Sequence, residues 1–474
     1  MTRKYKDMAP GKIAADAIEE SRGALWNLAK RIWENPEGPN REFKACKWSA
    51  ELLADAGFTV ETGVGGLSTA LKATYGSGSP VIAFLGEYDA LEGLSQKVAA
   101  AKEPAVAGGW GHACGHNLLG VGHIGAVIGL ARAMEAAGLP GTLIYYGCPA
   151  EEVLTGKVFM ARAGLFDGID VAVHWHPGSS NNIGTGSSIG LNTFKLHFKG
   201  RTSHAGGDPH NGRSALDAVE LTNVGIQYLR EHVTSDVRIH YIITEGGMAP
   251  NIVPDKASAW YFVRAATRKG IEEAYERVLN VGRGAALMTE TEMSVEFLGG
   301  CYPTRNNKVL VRAMFDSMNE APRDGWTLEE NEFAEAMSGT SGVQIADAQK
   351  RLNANPDEFI HNGIRPVHDE VGHGSTDVGD VMHILPTVMF STATAGIGTP
   401  GHSWQMTAFS GSSIAEKGMI YAARAMADFG LKILTSPDIV AEAKAEFDKE
   451  APGQPYICPI PDEVSPPVYE PQDS

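Results

Sequence analysis

The sequence predicts an α/β fold in which one discontinuous domain carries a smaller inserted domain. Buried-strand and helix patterns alternate at both ends of the chain, which is typical of a sheet covered on both faces. The middle of the chain instead combines half-exposed strand patterns with two amphipathic helix patterns. We therefore expect a mixed, mostly parallel sheet covered by helices, together with an inserted α+β domain that has a four-stranded antiparallel sheet and two helices.

The first part of the chain contains helix patterns and buried strands that end in polar residues. Continuous apolar runs predict the strands, and each run reaches acidic residues or histidines at its carboxyl end. In open α/β sheets, ligands bind at those strand ends. The predicted elements are, in chain order, helices at 24–37 and 42–57, a strand at 80–91, a long buried helix at 116–138, and strands at 141–152 and 171–177.

The pattern changes between about residues 188 and 305. Strand patterns lie at 190–200, 236–247, 256–265 and 292–300, and helix patterns at 212–233 and 271–288. Beyond this segment, helices return and residues 385–394 predict another buried strand. We expect residues 1–188 and 304–450 to form the discontinuous domain, residues 189–303 the inserted domain, and residues 451–474 an extended tail.

Composition argues against several classes of protein. The formal net charge is −17 and no block is rich in Lys and Arg, which argues against a nucleic-acid partner. No apolar run is expected to reach the ~20 residues of a membrane helix, and the N-terminus lacks a signal-peptide pattern. Five scattered cysteines predict no disulfide framework. We therefore expect no membrane association, and a reducing, cytoplasmic location.

The stretch "GHACGHNLLG" places Cys114 and His116 in a glycine-flanked turn ahead of the long buried helix. Thiolate and imidazole are ordinary ligands of zinc and related metals. The alternative is a small buried cysteine with histidines that satisfy backbone groups at a helix start. Glutamates at 151 and 152, the "HWHP" stretch and His402 favour the metal, because ligands from several strand ends can meet at one site. Of the paired glutamates, one can bind the metal and the other can take a proton from water.

Eight motifs carry a resemblance to a known family. The chain resembles the amidohydrolase branch of the aminoacylase and glutamate-carboxypeptidase family of dinuclear metallopeptidases, from about residue 10 to the tail. Together, the eight motifs in order are much more specific than any one of them. They are "GEYDALEG", "GHACGHNLLG", "YYGCPAEE", "WHPG", "TSHAGGDPHNGRSALDAV", "GGMAPNIVPD", "STDVGDV" and "GTPGHSWQ".

The resemblance implies two divalent metal ions per chain, and it leaves zinc or manganese open. In the "HWHP" stretch it leaves a choice between His174 and His176. We favour His176, because related chains place the ligand directly before the proline, and His174 is then a neighbour of the site. The implied metal ligands are Cys114, His116, Glu152, His176 and His402.

The resemblance also implies the acid–base groups. Glu151 corresponds to the general base that takes a proton from water and passes it to the leaving amine. Asp89 corresponds to the residue that orients a metal ligand from behind. In much of the wider family a metal-binding histidine lies two residues before that aspartate, but here Glu87 occupies the position. Glu87 therefore has no assigned role.

The inserted segment resembles the lid and dimerisation domain of the family. The resemblance implies that His204 reaches the cleft of a partner chain and stabilises the oxyanion. It implies substrate contacts for Asn251 and Arg264, with Arg213 as the competitor of Arg264 for the substrate carboxylate. The implied activity is hydrolysis of the amide bond of an N-acyl amino acid, with p-aminobenzoyl-glutamate as first candidate. A homodimer is expected, and the alternatives are another acyl amino acid or dipeptide substrate, or a heteromer active only with a related chain.

Overall fold

The computed structural model describes residues 8–450 and 455–471. The helices are α1 Pro10–Glu34, α2 Phe43–Asp55, α3 His116–Ala137, α4 Gly156–Arg162, α5 Ala215–Leu229, α6 Arg268–Thr289, α7 Lys308–Glu320, α8 Leu328–Ser338, α9 Ile345–Leu352, α10 Val378–Met382, α11 Trp404–Ser410, α12 Ser413–Thr435 and α13 Pro437–Glu450. The strands are β1 Thr59–Thr62, β2 Leu71–Ser77, β3 Val81–Glu87, β4 Gly141–Cys148, β5 Val171–Gly178, β6 Asn182–Ile183, β7 Gly190–Lys199, β8 Arg238–Glu245, β9 Lys256–Ala265, β10 Glu292–Cys301 and β11 Thr387–Ala393.

The larger sheet has seven strands in the order β1-β2-β4-β3-β5-β11-β6. Its centre, β4-β3-β5-β11, is parallel, and the outer strands β1, β2 and β6 pair antiparallel. The central strands are buried along nearly their whole length, as expected where helices cover both faces of a sheet. Parallel strands end at the same edge, so the polar residues after β3, β4 and β5 are brought together there.

Helix α3 is the central helix of the main core. α1 and α12 pack against it, and it also contacts β3, β4 and β5. Its length and apolar composition would suit a membrane span, so the expectation that no apolar run reaches that length is wrong. However, 94% of its most apolar 18-residue window is buried inside the fold, which is the environment of a core helix.

The inserted segment forms a separate four-stranded antiparallel sheet in the order β10-β7-β9-β8. Helices α5 and α6 pack on this sheet and share one apolar core with it. The predicted fold class, an α/β domain with an inserted α+β domain, is therefore confirmed. The strands of the insertion lie between Gly190 and Cys301, while the domain bounds given above remain a prediction.

The described part of the C-terminal tail, residues 455–471, forms no helix or strand but packs against the larger domain. Ile460 is buried in a core cluster, and the Tyr456 hydroxyl donates to Asp380 Oδ1 at 2.8 Å. Residues 451–454 and 472–474, which the predicted tail also includes, lie outside the described residues.

Candidate metal centre

The candidate site lies at the carboxyl edge of the parallel strands. β3 delivers Glu87 and Asp89, β5 delivers His174 and His176, and the turn after β4 delivers two glutamates. The first turn of α3 and the loop before α11 close the site from the other side. This is the edge at which an open α/β sheet binds its ligands.

Gly115 lets Cys114 and His116 face the same site. It adopts a left-handed conformation, with φ of +78°, which favours glycine. A Cβ at this position would also lie 2.9 Å from Pro177 Cβ, in the last residue of the "HWHP" stretch. The turn is tied to the late loop by a hydrogen bond from the His402 N–H to the Ala113 carbonyl at 3.0 Å.

The structure brings the five predicted metal ligands into two overlapping groups. Cys114, His116 and His176 form one group, and Cys114, Glu152 and His402 form the other, with the ligand atoms of each group within 4.8 Å of one another. Cys114 Sγ lies 3.3 Å from His176 Nε2, and Glu152 Oε2 lies 3.4 Å from His402 Nε2. Because both groups contain Cys114, its thiolate can lie between two ions.

The polar groups of this site fit metal ions. His116 Nε2 and Glu152 Oε1 are buried without hydrogen-bond partners, although such atoms are normally satisfied. The donors are sulfur, imidazole nitrogen and carboxylate oxygen, a set that suits zinc and also allows manganese. Their role as metal ligands remains a prediction that this geometry supports.

Asp89 contacts one residue from each group. Asp89 Oδ1 lies 2.8 Å from His116 Nδ1, and Oδ2 accepts the Glu152 backbone N–H at 2.9 Å. With Nδ1–H donating to Asp89, His116 presents Nε2 to the site. Burial alone would lower the pKa of His116, but Cys114 and Asp89 beside it raise that pKa well above its ordinary value. The site thus favours a positive charge at this ring.

Glu151 and Glu152 lie in a short 3₁₀ turn between two residues with left-handed backbone. Ala150 has φ of +56° and Leu154 has φ of +58°, which is costly for residues other than glycine. Glu151 is buried, and its Oε2 lies 3.8 Å from His116 Nε2. Burial first, and then the charges of Glu87 and Glu152, raise the pKa of Glu151 well above its ordinary value. A metal ion nearby would favour the ionised form that a base requires.

Glu42 is a buried support of this turn that sequence reasoning missed. It accepts the Ala150 N–H at 2.8 Å and the Thr69 hydroxyl at 2.7 Å. Burial, with a contribution from Asp89, raises the pKa of Glu42 to about 8. It is the first residue of the predicted helix at 42–57, where a glutamate is usual at an exposed helix start, so no local pattern identifies it.

The two candidate histidines of the "HWHP" stretch have different surroundings. His176 Nε2 faces Cys114, and His176 Nδ1 lies 2.7 Å from the Pro177 carbonyl. His174 lies deeper, with Nδ1 3.2 Å from the Leu85 carbonyl and Nε2 3.7 Å from Glu87 Oε1. The geometry favours His176 as the ligand, and it leaves His174 as a neighbour.

His204 lies in an exposed loop of the insertion. Its Nδ1 accepts the backbone N–H groups of Gly206 and Gly207, at 3.1 and 2.9 Å. In the neutral ring these contacts place the proton on Nε2. His204 therefore presents an N–H donor to the solvent side of its loop, although its described contacts all lie within the insertion.

The three predicted substrate-contact residues are not equivalent. Arg213 Nε donates to Glu290 at 2.7 Å, so an ion pair within the insertion occupies it. Arg264 Nη1 contacts the carbonyl of His373 at 3.3 Å, and its Nε is buried without a partner. Asn251 is exposed and accepts the Ala205 N–H through its backbone carbonyl. Arg264 is thus the better placed of the two arginines, because it has an unused donor at the boundary with the larger domain.

Comparison with known proteins agrees with this architecture. A dinuclear metal-binding peptidase of the M20 family from Bacillus subtilis superposes with a TM-score of 0.56 at 19% identity, over 88% of this chain and 99% of that one. The peptidase dimerisation domain of the same family matches residues 187–282. One of the chains of the p-aminobenzoyl-glutamate hydrolase of Escherichia coli K12 is 38% identical over 95% of this chain and 97% of that protein. The chain belongs to the M20 peptidase family.

The M20 assignment confirms the resemblance that the eight motifs indicate, and it places this chain among hydrolases. A further relative, the Xaa-Arg dipeptidase of Mus musculus, is 28% identical over 92% of this chain and 91% of that protein. Both curated relatives therefore match this M20 chain over nearly their whole length.

Proposed function

We propose that this M20 chain hydrolyses the amide bond of an N-acyl amino acid, with p-aminobenzoyl-glutamate as its first candidate substrate. The observation that carries the proposal is the pair of ligand groups that share Cys114 and lie beside the buried Glu151. The similarity to a chain of the p-aminobenzoyl-glutamate hydrolase of Escherichia coli supports this choice of substrate.

The residues around the centre divide the chemical work. When bound, two divalent ions would lower the pKa of a water molecule and polarise the scissile carbonyl. Glu151 accepts the proton of the attacking water at its carboxylate and delivers it to the nitrogen of the leaving amine. Asp89 holds His116 and the backbone of Glu152 in place. No covalent bond between chain and substrate is needed.

The insertion supplies the groups that contact the substrate directly. His204, with its proton on Nε2, donates to the oxyanion that forms at the carbonyl of the substrate. Arg264 binds the free carboxylate of the amino acid, a task that suits guanidinium geometry, and Asn251 helps to hold the substrate. Because the contacts of His204 among the described residues all lie within its own insertion, we assign it to the cleft of a partner chain.

The insertion also supplies the surface for a homodimer. β8 is an edge strand with exposed Ile242 and Ile243, and α5 exposes Val224 and Tyr228. An uncovered apolar edge strand favours pairing with another chain, and the matched domain is named for dimerisation. The alternative partner is a second, related chain, since the Escherichia coli relative is named as one of the subunits of its enzyme. With five free cysteines, we propose that the protein acts in the cytoplasm.

A hydrolysis assay on the purified chain tests the proposal. The protein is stripped of metal, refilled with manganese or zinc, and supplied with p-aminobenzoyl-glutamate, other N-acyl amino acids and Xaa-Arg dipeptides. We expect metal-dependent release of glutamate from the first substrate. Release only from the other N-acyl amino acids or the dipeptides would support the same reaction with a different substrate. No release from any of them, with ions bound, would contradict activity of the single chain and favour the heteromer.

A further inference from the structure

Glu87, at the end of β3, is a buried carboxylate without a role in the mechanism described above. Its side chain is fully buried, and Oε1 accepts a hydrogen bond from Lys157 Nζ at 2.5 Å. Oε2 has no hydrogen-bond partner and lies 3.3 Å from His116 Nε2. One oxygen of Glu87 is therefore fixed, and the other faces the candidate metal centre.

Lys157 holds Glu87 in this orientation. It is fully buried on α4, and Nζ also donates to Asp377 Oδ1 at 2.6 Å. Asp377 Oδ2 in turn accepts the backbone N–H of Lys157 at 2.8 Å. A single buried cation thus lies between two carboxylates, and the three side chains restrain one another. Rotation of Glu87 away from the centre would break a fully buried ion pair, which is costly.

The free oxygen of Glu87 lies beside two other atoms that can bind a metal ion. The ligand atoms of Glu87, His116 and Glu151 all lie within 4.8 Å of one another, and all three residues are buried. A carboxylate oxygen and a ring nitrogen share such a buried space when a proton or a metal ion lies between them, and a bound metal ion would take that place here. Two ligands at about 2.0–2.1 Å from one tetrahedral ion lie about 3.4 Å apart. The observed separation of 3.3 Å between Glu87 and His116 agrees with that value.

We propose that Glu87 is an additional oxygen ligand of the ion that His116 binds, and that Lys157 and Asp377 position it to bind through Oε2 alone. This inference rests on the proposed dinuclear centre. It gives that ion a carboxylate beside Cys114, His116 and His176. Helix α3 can lie this close to Glu87 because residue 120 is a glycine. A Cβ on Gly120 would lie 2.6 Å from the backbone carbonyl oxygen of Glu87.

The test compares metal binding by Glu87→Gln with that of the unmodified protein. Glutamine keeps the size of the side chain. When its side-chain carbonyl oxygen accepts the hydrogen bond from Lys157, its NH₂ group points towards His116 Nε2. The N–H then occupies the place of the ion, which is displaced. Ions are counted by mass spectrometry, and affinities are measured by competition with a chromophoric chelator. We expect one of two ions to bind at least tenfold more weakly, since even indirect supports of a metal cost 10 to 100-fold.

Asp380→Asn is the matched control, because Asp380 is also a buried carboxylate but pairs with Tyr456 and the Tyr302 backbone. It should retain both ions at unchanged affinity. Two ions in Glu87→Gln at unchanged affinity would overturn the inference and leave the proposed function standing. An unmodified protein that binds no ions would overturn both.

A second measurement avoids the variant, in case Glu87→Gln does not fold. Anomalous diffraction from zinc-loaded crystals of the unmodified protein locates each ion directly. We expect one ion at about 2.0–2.2 Å from Glu87 Oε2. Two bound ions that both lie more than about 3 Å from either Glu87 oxygen would overturn the inference.

Discussion

Glu151 and Glu152 are adjacent in the chain but face different neighbours. Glu151 Oε2 points towards His116, whereas Glu152 Oε2 lies near His402. The strained turn between Ala150 and Leu154 permits this divergence, and Glu42 anchors its backbone. At the scale of single residues, the proposed chemistry therefore depends on which direction each carboxylate takes.

The substitution Glu151→Gln separates the base from the metal ligands. We expect turnover to fall by 10²–10⁴-fold, the usual contribution of a general base, with two ions still bound. Steady-state kinetics and ion counts on the same sample measure both effects. Glu152→Gln is the matched contrast and should lose metal as well as turnover. A Glu151→Gln protein with ordinary turnover would show that another group is the base.

The substitution Cys114→Ala tests the residue shared by both ligand groups. We expect the affinity for both ions to fall at least tenfold, with loss of turnover, because each ion loses its sulfur ligand. Metal competition and ion counting provide the measurement. Cys148→Ala, at a buried cysteine of β4, is the control and should keep both ions. Loss of only one ion from Cys114→Ala would contradict a shared thiolate.

At this scale, motifs in the sequence indicated residues that the structure brings together, whereas contacts that depend on the fold were not predicted. The five predicted ligands lie close together in the structure, and each belongs to a recognisable motif after a strand, at the start of α3 or in the loop before α11. Glu42, Lys157 and Asp377 are buried charges that each pair with a residue 70 or more positions away, so local sequence does not identify these pairs. Only the motif "STDVGDV" drew attention to the segment of Asp377.

At the scale of elements, the central strands were the most predictable part of the fold. β3, β4 and β5 are buried on both faces, so their apolar runs are continuous. β1 and the two-residue β6 are the edge strands, and β2 lies between β1 and β4; mixed burial weakens the pattern of these three strands, and they were not predicted. The predicted helices of the insertion correspond to α5 and α6.

The segment after the insertion contains a histidine that should make stability depend on pH. His383 follows α10, its ring lies against Tyr302, and its Nε2 is 3.1 Å from the Pro303 carbonyl. Burial first, and then the charge of Arg305, lower the pKa of His383 to about 4 in the folded protein. Its contribution to stability is therefore complete above the unfolded pKa of about 6.5 and is lost as the pH falls towards 4.

We expect His383→Gln to reduce the acid sensitivity of the metal-free protein. Between pH 7 and pH 4, the free energy of unfolding should fall by up to roughly 3 kcal/mol more in the unmodified protein than in the variant. This value follows because each unit by which folding lowers the pKa contributes about 1.4 kcal/mol. Urea unfolding of both proteins across this range, with a chelator present, gives the comparison. His232→Gln, at an exposed histidine, should follow the unmodified protein. Equal pH dependence of His383→Gln and the unmodified protein would contradict the prediction.

At the scale of the whole molecule, the proposed site is complete only when a second chain is present. The larger domain carries the proposed metal ligands and Glu151, and the insertion carries His204 on an exposed loop. The sequence identified this division through its resemblance to a family. It could not place His204 relative to a cleft, because that distance depends on how two chains associate.

Complementation between two inactive variants tests the exchange of His204. Glu151→Gln lacks the base and His204→Ala lacks the oxyanion donor, so neither homodimer should be active. In a mixed dimer, one cleft combines an intact Glu151 with an intact His204 from the other chain. Random exchange should therefore restore about a quarter of the original activity. The control is a mixture of Glu151→Gln with the variant that carries both substitutions, in which no cleft has an intact Glu151. If the first mixture recovers no activity, His204 acts in the cleft of its own chain.

The central claim is that amide hydrolysis by this chain depends on a dinuclear centre. The most direct measurement is a titration of the metal-stripped protein with zinc or manganese, in which bound ions and hydrolysis of p-aminobenzoyl-glutamate are followed together. We predict no hydrolysis in the stripped protein and full activity only when two ions are bound per chain. Full activity without metal, or with one ion per chain, would contradict the account.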